Sequence, residues 1–131
     1  MDEDRLVVEL FFEKPTFEEI SRIASEMEEA GVKPLMLPPE NRDINTHLVV
    51  EKSDIEKAKV KLVEMNLPYK TKEVVLIRME NKPGAMADTV KKISDRGVNL
   101  TYAFSVTMSQ GYSYLLLAAA DNEAVLDIAK S

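Results

Sequence analysis

The chain has 131 residues, 45% hydrophobic and 31% charged, which fits one ordinary domain or two very small ones and is too apolar for disorder. With no cysteine and a single histidine, His47, it excludes disulfides, thiolate zinc sites and cysteine nucleophiles. The net charge of −6 sits in the first half: residues 1–71 carry 16 acids and 10 bases, residues 72–131 seven of each, a balance that argues against a phosphate-backbone partner.

In chain order, "RLVVELFF" is rich in β-branched and aromatic residues and predicts a strand. Over 16–30 the apolar residues Phe17, Ile20, Ala24, Met27 and Ala30 fall on one helical face, and Gly31 stands where a helix ends. "VKPLML" carries Pro34 and predicts a weak edge strand. "INTHLVV" predicts the next strand and places His47 on it, facing solvent or partly buried. "SDIEKAKVKLVEM" predicts a helix with a Ser53-x-x-Glu56 capping box and Ile55, Ala58, Leu62 and Met65 in helical spacing.

"YKTKEV" then runs with almost no break into "EVVLIRM", another strand. After Gly84 a helix places Met86, Val90 and Ile93 on one face and stops at Gly97. "VNLTYAFSVTM" and "YSYLLLAAA" predict two strands joined by a hairpin at Gly111. A short helix begins at Asp121. The stretch "LLLAAA" is apolar at both strand parities, which predicts a strand covered on both faces, by a sheet of the first half or by a partner chain.

These signals repeat. Lys14-Pro15 recurs as Lys82-Pro83 and Ser53 as Asp121, both at an offset of 68. Each half reads strand, helix, strand, strand, helix, with a last strand in the first half only. The expected class is α+β: two tandem ferredoxin-like βαββαβ units with antiparallel sheets and helices on one face, the second lacking its last strand. The expected domains are 1–71 and 72–131. Either that sheet position is empty or something else fills it; an unpaired edge would be a liability, and two-fold dimerisation that covers the edge or the apolar face is the simplest remedy.

The two first helices begin differently. A helix N-terminus has four unpaired N–H groups and the positive end of a dipole. In "PTFEE", Thr16 can cap and Glu19 can reach back. In "KPGAMAD" no side chain stands in the capping place, so Gly84 leaves N–H groups open beside Lys82, a seat for a carboxylate or for water. Asp88 also lies close to this dipole. Across the strand, Asn99 is expected to face Gly84, and Gly84→Thr is the substitution expected to close the seat.

Residues 81–100, "NKPGAMADTVKKISDRGVNL", resemble the ACT domain, a small-molecule-sensing module of amino-acid metabolism. The resemblance rests on Asn81, Pro83 and Gly84, and on Gly97, Val98, Asn99 and Leu100. It covers 73–128 well, whereas residues 5–71 match in pattern only, with Thr16 in place of the glycine. It implies a non-catalytic regulatory protein, an amino acid or related metabolite as ligand at a domain or subunit interface, and contacts from Asn81, Lys82, Pro83, Gly84, Ala85, Met86 and Asn99. It implies no metal and no cofactor.

Other readings compete. The chain could be a ligand-free interaction subunit of an amino-acid biosynthetic enzyme. A more remote reading is RNA binding, from Tyr112 and Tyr114 in "QGYSYLLL", against which Gln110 and the acidic charge count. No nucleophile-base pair emerges, so an enzyme is not expected. The expected partners are a small-molecule ligand, a second copy and a biosynthetic enzyme, with no nucleic acid and no membrane. The acidic "MDEDRLVVEL" start and the lack of a long apolar run suggest a cytoplasmic protein.

Overall fold

The computed structural model describes residues 4–37, 45–80, 82–109 and 111–130. Its elements in chain order are β1 (Arg5–Phe12), α1 (Phe17–Glu29), β2 (Leu35–Leu37), β3 (Thr46–Glu51), α2 (Ile55–Glu64), β4 (Lys70–Glu80), α3 (Ala85–Ser94), β5 (Leu100–Ser109), β6 (Tyr112–Ala119) and α4 (Asn122–Lys130). The class is α+β, and every strand pair given below is antiparallel. The chain divides into two compact units, Val7–Lys72 and Met1–Leu6 with Glu73–Ser131. The start of β1 thus belongs to the second unit and the start of β4 to the first. The two strands expected around residue 72 are one continuous strand.

In the unit of Val7–Lys72 the strand order is β2-β3-β1. Alternate residues Leu10 and Phe12 of β1 and Leu48 and Val50 of β3 face the helices. They form a core with Ile23 and Met27 of α1 and Ala58 and Leu62 of α2. The apolar stripe of α1 therefore runs through Ile23 and Met27. Phe17, expected on it, is 91% exposed, and Ala24 is exposed too. At about 100° per residue, Phe17 and Ala24 stand roughly 80–100° to one side of the stripe through Ile23 and Met27. α1 ends on Gly31 at φ 78°, where the N–H of Val32 reaches the carbonyl of Met27 at 2.9 Å, a wrap that needs a left-handed residue.

The Ser53 capping box does not form. Residues Lys52–Asp54 make a 3₁₀ turn ahead of α2, and Asp54, in helical conformation, precedes the helix without a side-chain cap. Ser53 is inside a helical turn, not in the extended conformation that a cap requires. Pro34 directly precedes β2, which has three residues and pairs with β3 alone among the described residues. That agrees with an edge strand. His47 is half-buried and its Nδ1 meets the Glu9 carboxylate at 2.5 Å, beside the ring of Phe11.

In the second unit the order is β4-β6-β5. Val75 and Ile77 of β4 and Leu115 and Leu117 of β6 pack with Ile93 of α3 and Val125 and Ile128 of α4. Asp121 caps α4, accepting from the Ala124 N–H at 3.0 Å. Asn122 accepts from the Ala119 N–H at 2.9 Å and donates to the Glu73 carbonyl at 2.8 Å, which fastens α4 to the sheet. The residues of opposite parity, Val74, Leu76, Leu116 and Ala118, are buried as well. Leu115–Ala118 are thus buried at both parities, as expected, whereas Ala119 is half-buried and Ala120 exposed.

No strand follows α4 among the described residues. The start of the chain takes part in this unit in its stead. The Arg78 N–H donates to Asp4 Oδ1 at 2.9 Å, and Leu6 packs on the core formed with α3 and α4. Of the two expected alternatives, an empty place or one filled by another segment, the second describes this unit.

Candidate functional site

The turn between β4 and α3 places the candidate residues. Lys82, Pro83 and Gly84 are exposed, Ala85 is half-buried on the core, and Met86 is 39% exposed. Asn81 lies outside the described residues. Met86 is therefore off the buried stripe of α3, which Ile93 and Val90 carry.

Gly84 precedes the helix at φ 83° and ψ −9°, a left-handed conformation that glycine adopts without steric cost. There is no side-chain cap. The Asp88 N–H donates to the Gly84 carbonyl at 2.8 Å, and the Ala85 N–H to the Lys82 carbonyl at 3.3 Å. The N–H groups of Met86 and Ala87 meet no partner among the described residues. The contrasting entrance of α1 is closed on both sides. Glu19 N–H donates to Thr16 Oγ1 at 3.0 Å and Thr16 N–H to Glu19 Oε1 at 2.8 Å.

Two carboxylates also stand at the open entrance, which sequence reasoning only half anticipated. Asp88 Oδ2 is 3.9 Å from where a β-carbon on Gly84 would sit. Lys82 Nζ lies 3.4 Å from Glu80 Oε2, both side chains well exposed. The turn thus offers unpaired N–H groups and one ammonium beside two carboxylates. A group carrying both signs matches that set better than a bare anion.

Asn99 is exposed in the link between α3 and β5. It does not face Gly84. Glu80 pairs with Tyr112, whereas Leu100 pairs with Ala119. Those β6 residues are seven apart, about 23 Å at the usual rise per strand residue. α3 carries the chain from one end of the sheet to the other, so the two motif halves lie at opposite ends. Spacing along the sequence could not show this, because it depends on strand register.

The tyrosines considered for base stacking are occupied. Arg78 Cζ sits 4.5 Å from the Tyr112 ring centroid and Arg5 Cζ 5.8 Å from that of Tyr114. Tyr114 is only 7% exposed, and the two rings meet edge to face at 5.7 Å. Guanidinium groups cover the faces that bases would need. No group of three or more potential metal ligands is found among the described residues. No helix among them is long and apolar enough to cross a membrane.

No family model matches the chain, and no curated protein matches it. Solved structures do share its fold. Protein BT0572 from Bacteroides thetaiotaomicron superposes with a TM-score of 0.76 at 20% identity, over 97% of this chain and 87% of that one. The ligand-free regulatory subunit of aspartate kinase from Thermus thermophilus gives 0.63 at 12% identity, over 99% and 92%. This chain shares the fold of that regulatory subunit. Aspartate kinase from Clostridium acetobutylicum, described as an allosteric enzyme, gives 0.59 at 17% identity; the match covers 95% of this chain and 32% of the kinase. At these identities the likeness is one of fold.

Proposed function

We propose that the chain is a non-catalytic, tandem ACT-type regulatory protein that binds an amino acid or a related metabolite at the Gly84 entrance. The observation that carries this reading is the open N-terminus of α3 beside Lys82, in a chain whose other first helix is closed by Thr16 and Glu19. The fold shared with a regulatory subunit of aspartate kinase supports a regulatory role.

The chemistry favours a zwitterion. Its carboxylate would take the Met86 and Ala87 N–H groups and Lys82, with Pro83, Gly84 and Ala85 shaping the turn. Its ammonium would lie toward Asp88 and Glu80. Asn81, at the same turn, belongs to the proposed contacts. Asn99 can join only from a second copy, because one small ligand does not span about 23 Å within a chain. The site is therefore proposed at a subunit interface of a homodimer.

The test is a thermal-shift screen against the twenty amino acids, with carboxylic acids lacking the ammonium as controls. A ligand at 100 times its Kd stabilises by about 2.7 kcal/mol. The expected result is a shift by an amino acid, absent with its deaminated analogue and reduced in Lys82→Ala and Asp88→Ala. If no amino acid or pathway end-product shifts the melting point, the sensor reading fails.

A second reading, a ligand-free interaction subunit of a biosynthetic enzyme, draws on exposed apolar side chains. Phe17 is 91% exposed, Val63 69% and Val60 59%. Such side chains suit an apolar docking contact. This reading gains if Phe17→Ser abolishes recovery of an enzyme partner from lysate while the ligand screen is blank.

A further inference from the structure

Among the described residues the exposed large apolar side chains are Phe17, Val60, Val63 and Met86. Val60 and Val63 stand three residues apart on α2 and are therefore neighbours on its surface. The buried stripe of α2 runs through Ala58 and Leu62. At about 100° per residue the two valines form a ridge roughly 150° away from that stripe, on the outer face of the helix. Valine is a poorer helix former than alanine, lysine or glutamate, because its branched side chain loses rotamer freedom. At 59% and 69% exposure the two valines recover little of that cost by burial within the chain. The charges beside the ridge are ordered. Lys57 and Glu64 are both exposed and seven residues apart, which puts them on one flank of it.

We infer that the outer face of α2 packs against α2 of a second copy, antiparallel about a two-fold axis that passes between the levels of Lys61 and Leu62. In that arrangement Val60 of each chain meets Val63 of the other, and the apolar ridge covers itself. A two-fold axis keeps each flank on its own side. Lys57 of one copy then comes beside Glu64 of the other, offset by about 3 Å along the helix axis at the usual rise per residue. The pair forms twice. On the other flank Lys59 comes beside Asn66, whose amide oxygen can accept from it. This charge order selects the occupant: a lysine at 57 and a glutamate at 64 complement a second copy, whereas like charges at both places would repel it. α2 has ten residues, so the contact is of transient size and forms at high concentration. It lies in the unit of Val7–Lys72, whereas the Gly84 entrance lies in the other, so it goes beyond the ligand reading and does not depend on it.

The experiment follows mass by sedimentation velocity without ligand, from micromolar to hundreds of micromolar chain. The native mass should rise at least twofold over that range. Lys57→Glu and Glu64→Lys should each abolish the rise, and the two reversals together should restore it, with unchanged circular dichroism spectra throughout. Restoration by the double reversal is a result that a merely structural role for either residue would not give. Val60→Lys, at an exposed position that tolerates a charge, should abolish the rise as well. A native mass that stays constant overturns the inference. So does an undiminished rise in Val60→Lys or in both single reversals, or a folded double reversal that fails to restore it. A constant native mass together with loss, in Val60→Lys, of a protein captured from lysate would assign the face to a different partner and overturn the inference too. Because no ligand is involved, these outcomes are separate from those of the thermal-shift screen.

Discussion

Thr16 and Gly84 hold the same place ahead of the first helix of each half, and their backbones differ in the sign of φ: −75° at Thr16, 83° at Gly84. Removing a satisfied cap costs about 1 kcal/mol. Thr16→Ala should therefore lower the unfolding free energy by that amount, read as a lower urea midpoint with an unchanged m value. Gly84→Thr does not reproduce the capping box. A β-branched residue in the left-handed region costs roughly 1–2 kcal/mol, and the residue in the place of Glu19 is Ala87, which cannot reach back. Gly84→Thr should thus destabilise the chain, and Lys82→Ala is the cleaner probe of ligand binding. Exposure separates two further substitutions. Phe17→Ser should change stability by less than about 0.5 kcal/mol, whereas Leu62→Ala, in a site with no exposure, should cost about 2–5 kcal/mol.

Among the elements, α1 and α2 are tied by Lys61, whose Nζ lies 3.2 Å from Glu29 Oε1 and 3.8 Å from Glu26 Oε1. The hydrogen bond that Lys61 donates to Glu29 is the main cause that raises its ammonium above the ordinary lysine value, and the charges of Glu29, Glu26 and Glu64 add to it. A raised value means that the contribution is full below the unfolded lysine pKa and disappears as pH rises through the folded one. The native chain should therefore lose more stability than Lys61→Met as pH rises above about 10.4, read from urea midpoints at each pH. The helices themselves were legible in the sequence through their apolar spacing. Ile55, Ala58, Leu62 and Met65 all lie on or against the core, as the pattern required. Their starts were less legible. Ser53 and Glu56 have the right spacing for a box, but a 3₁₀ turn absorbs Ser53, and the spacing alone cannot tell an extended cap from a helical turn.

At the scale of the whole molecule, the burial of Leu115–Ala118 at both parities followed from the lack of alternation in "LLLAAA". The sequence left open whether the place of the absent last strand is empty or filled. Asp4 and Leu6, far along the sequence from β4, belong to its unit through a hydrogen bond and a packing contact.

The sequence by itself determined which segments are strands and helices, because hydrophobic period and turn residues are local properties of the chain. It also determined that one helix entrance is closed and the other bare, since a cap lies within three residues of its partner. Tertiary structure decided which distant residues share an end of the sheet. Strand register puts Asn99 about 23 Å from the Gly84 turn, and long-range pairing, which no local pattern encodes, sets that register.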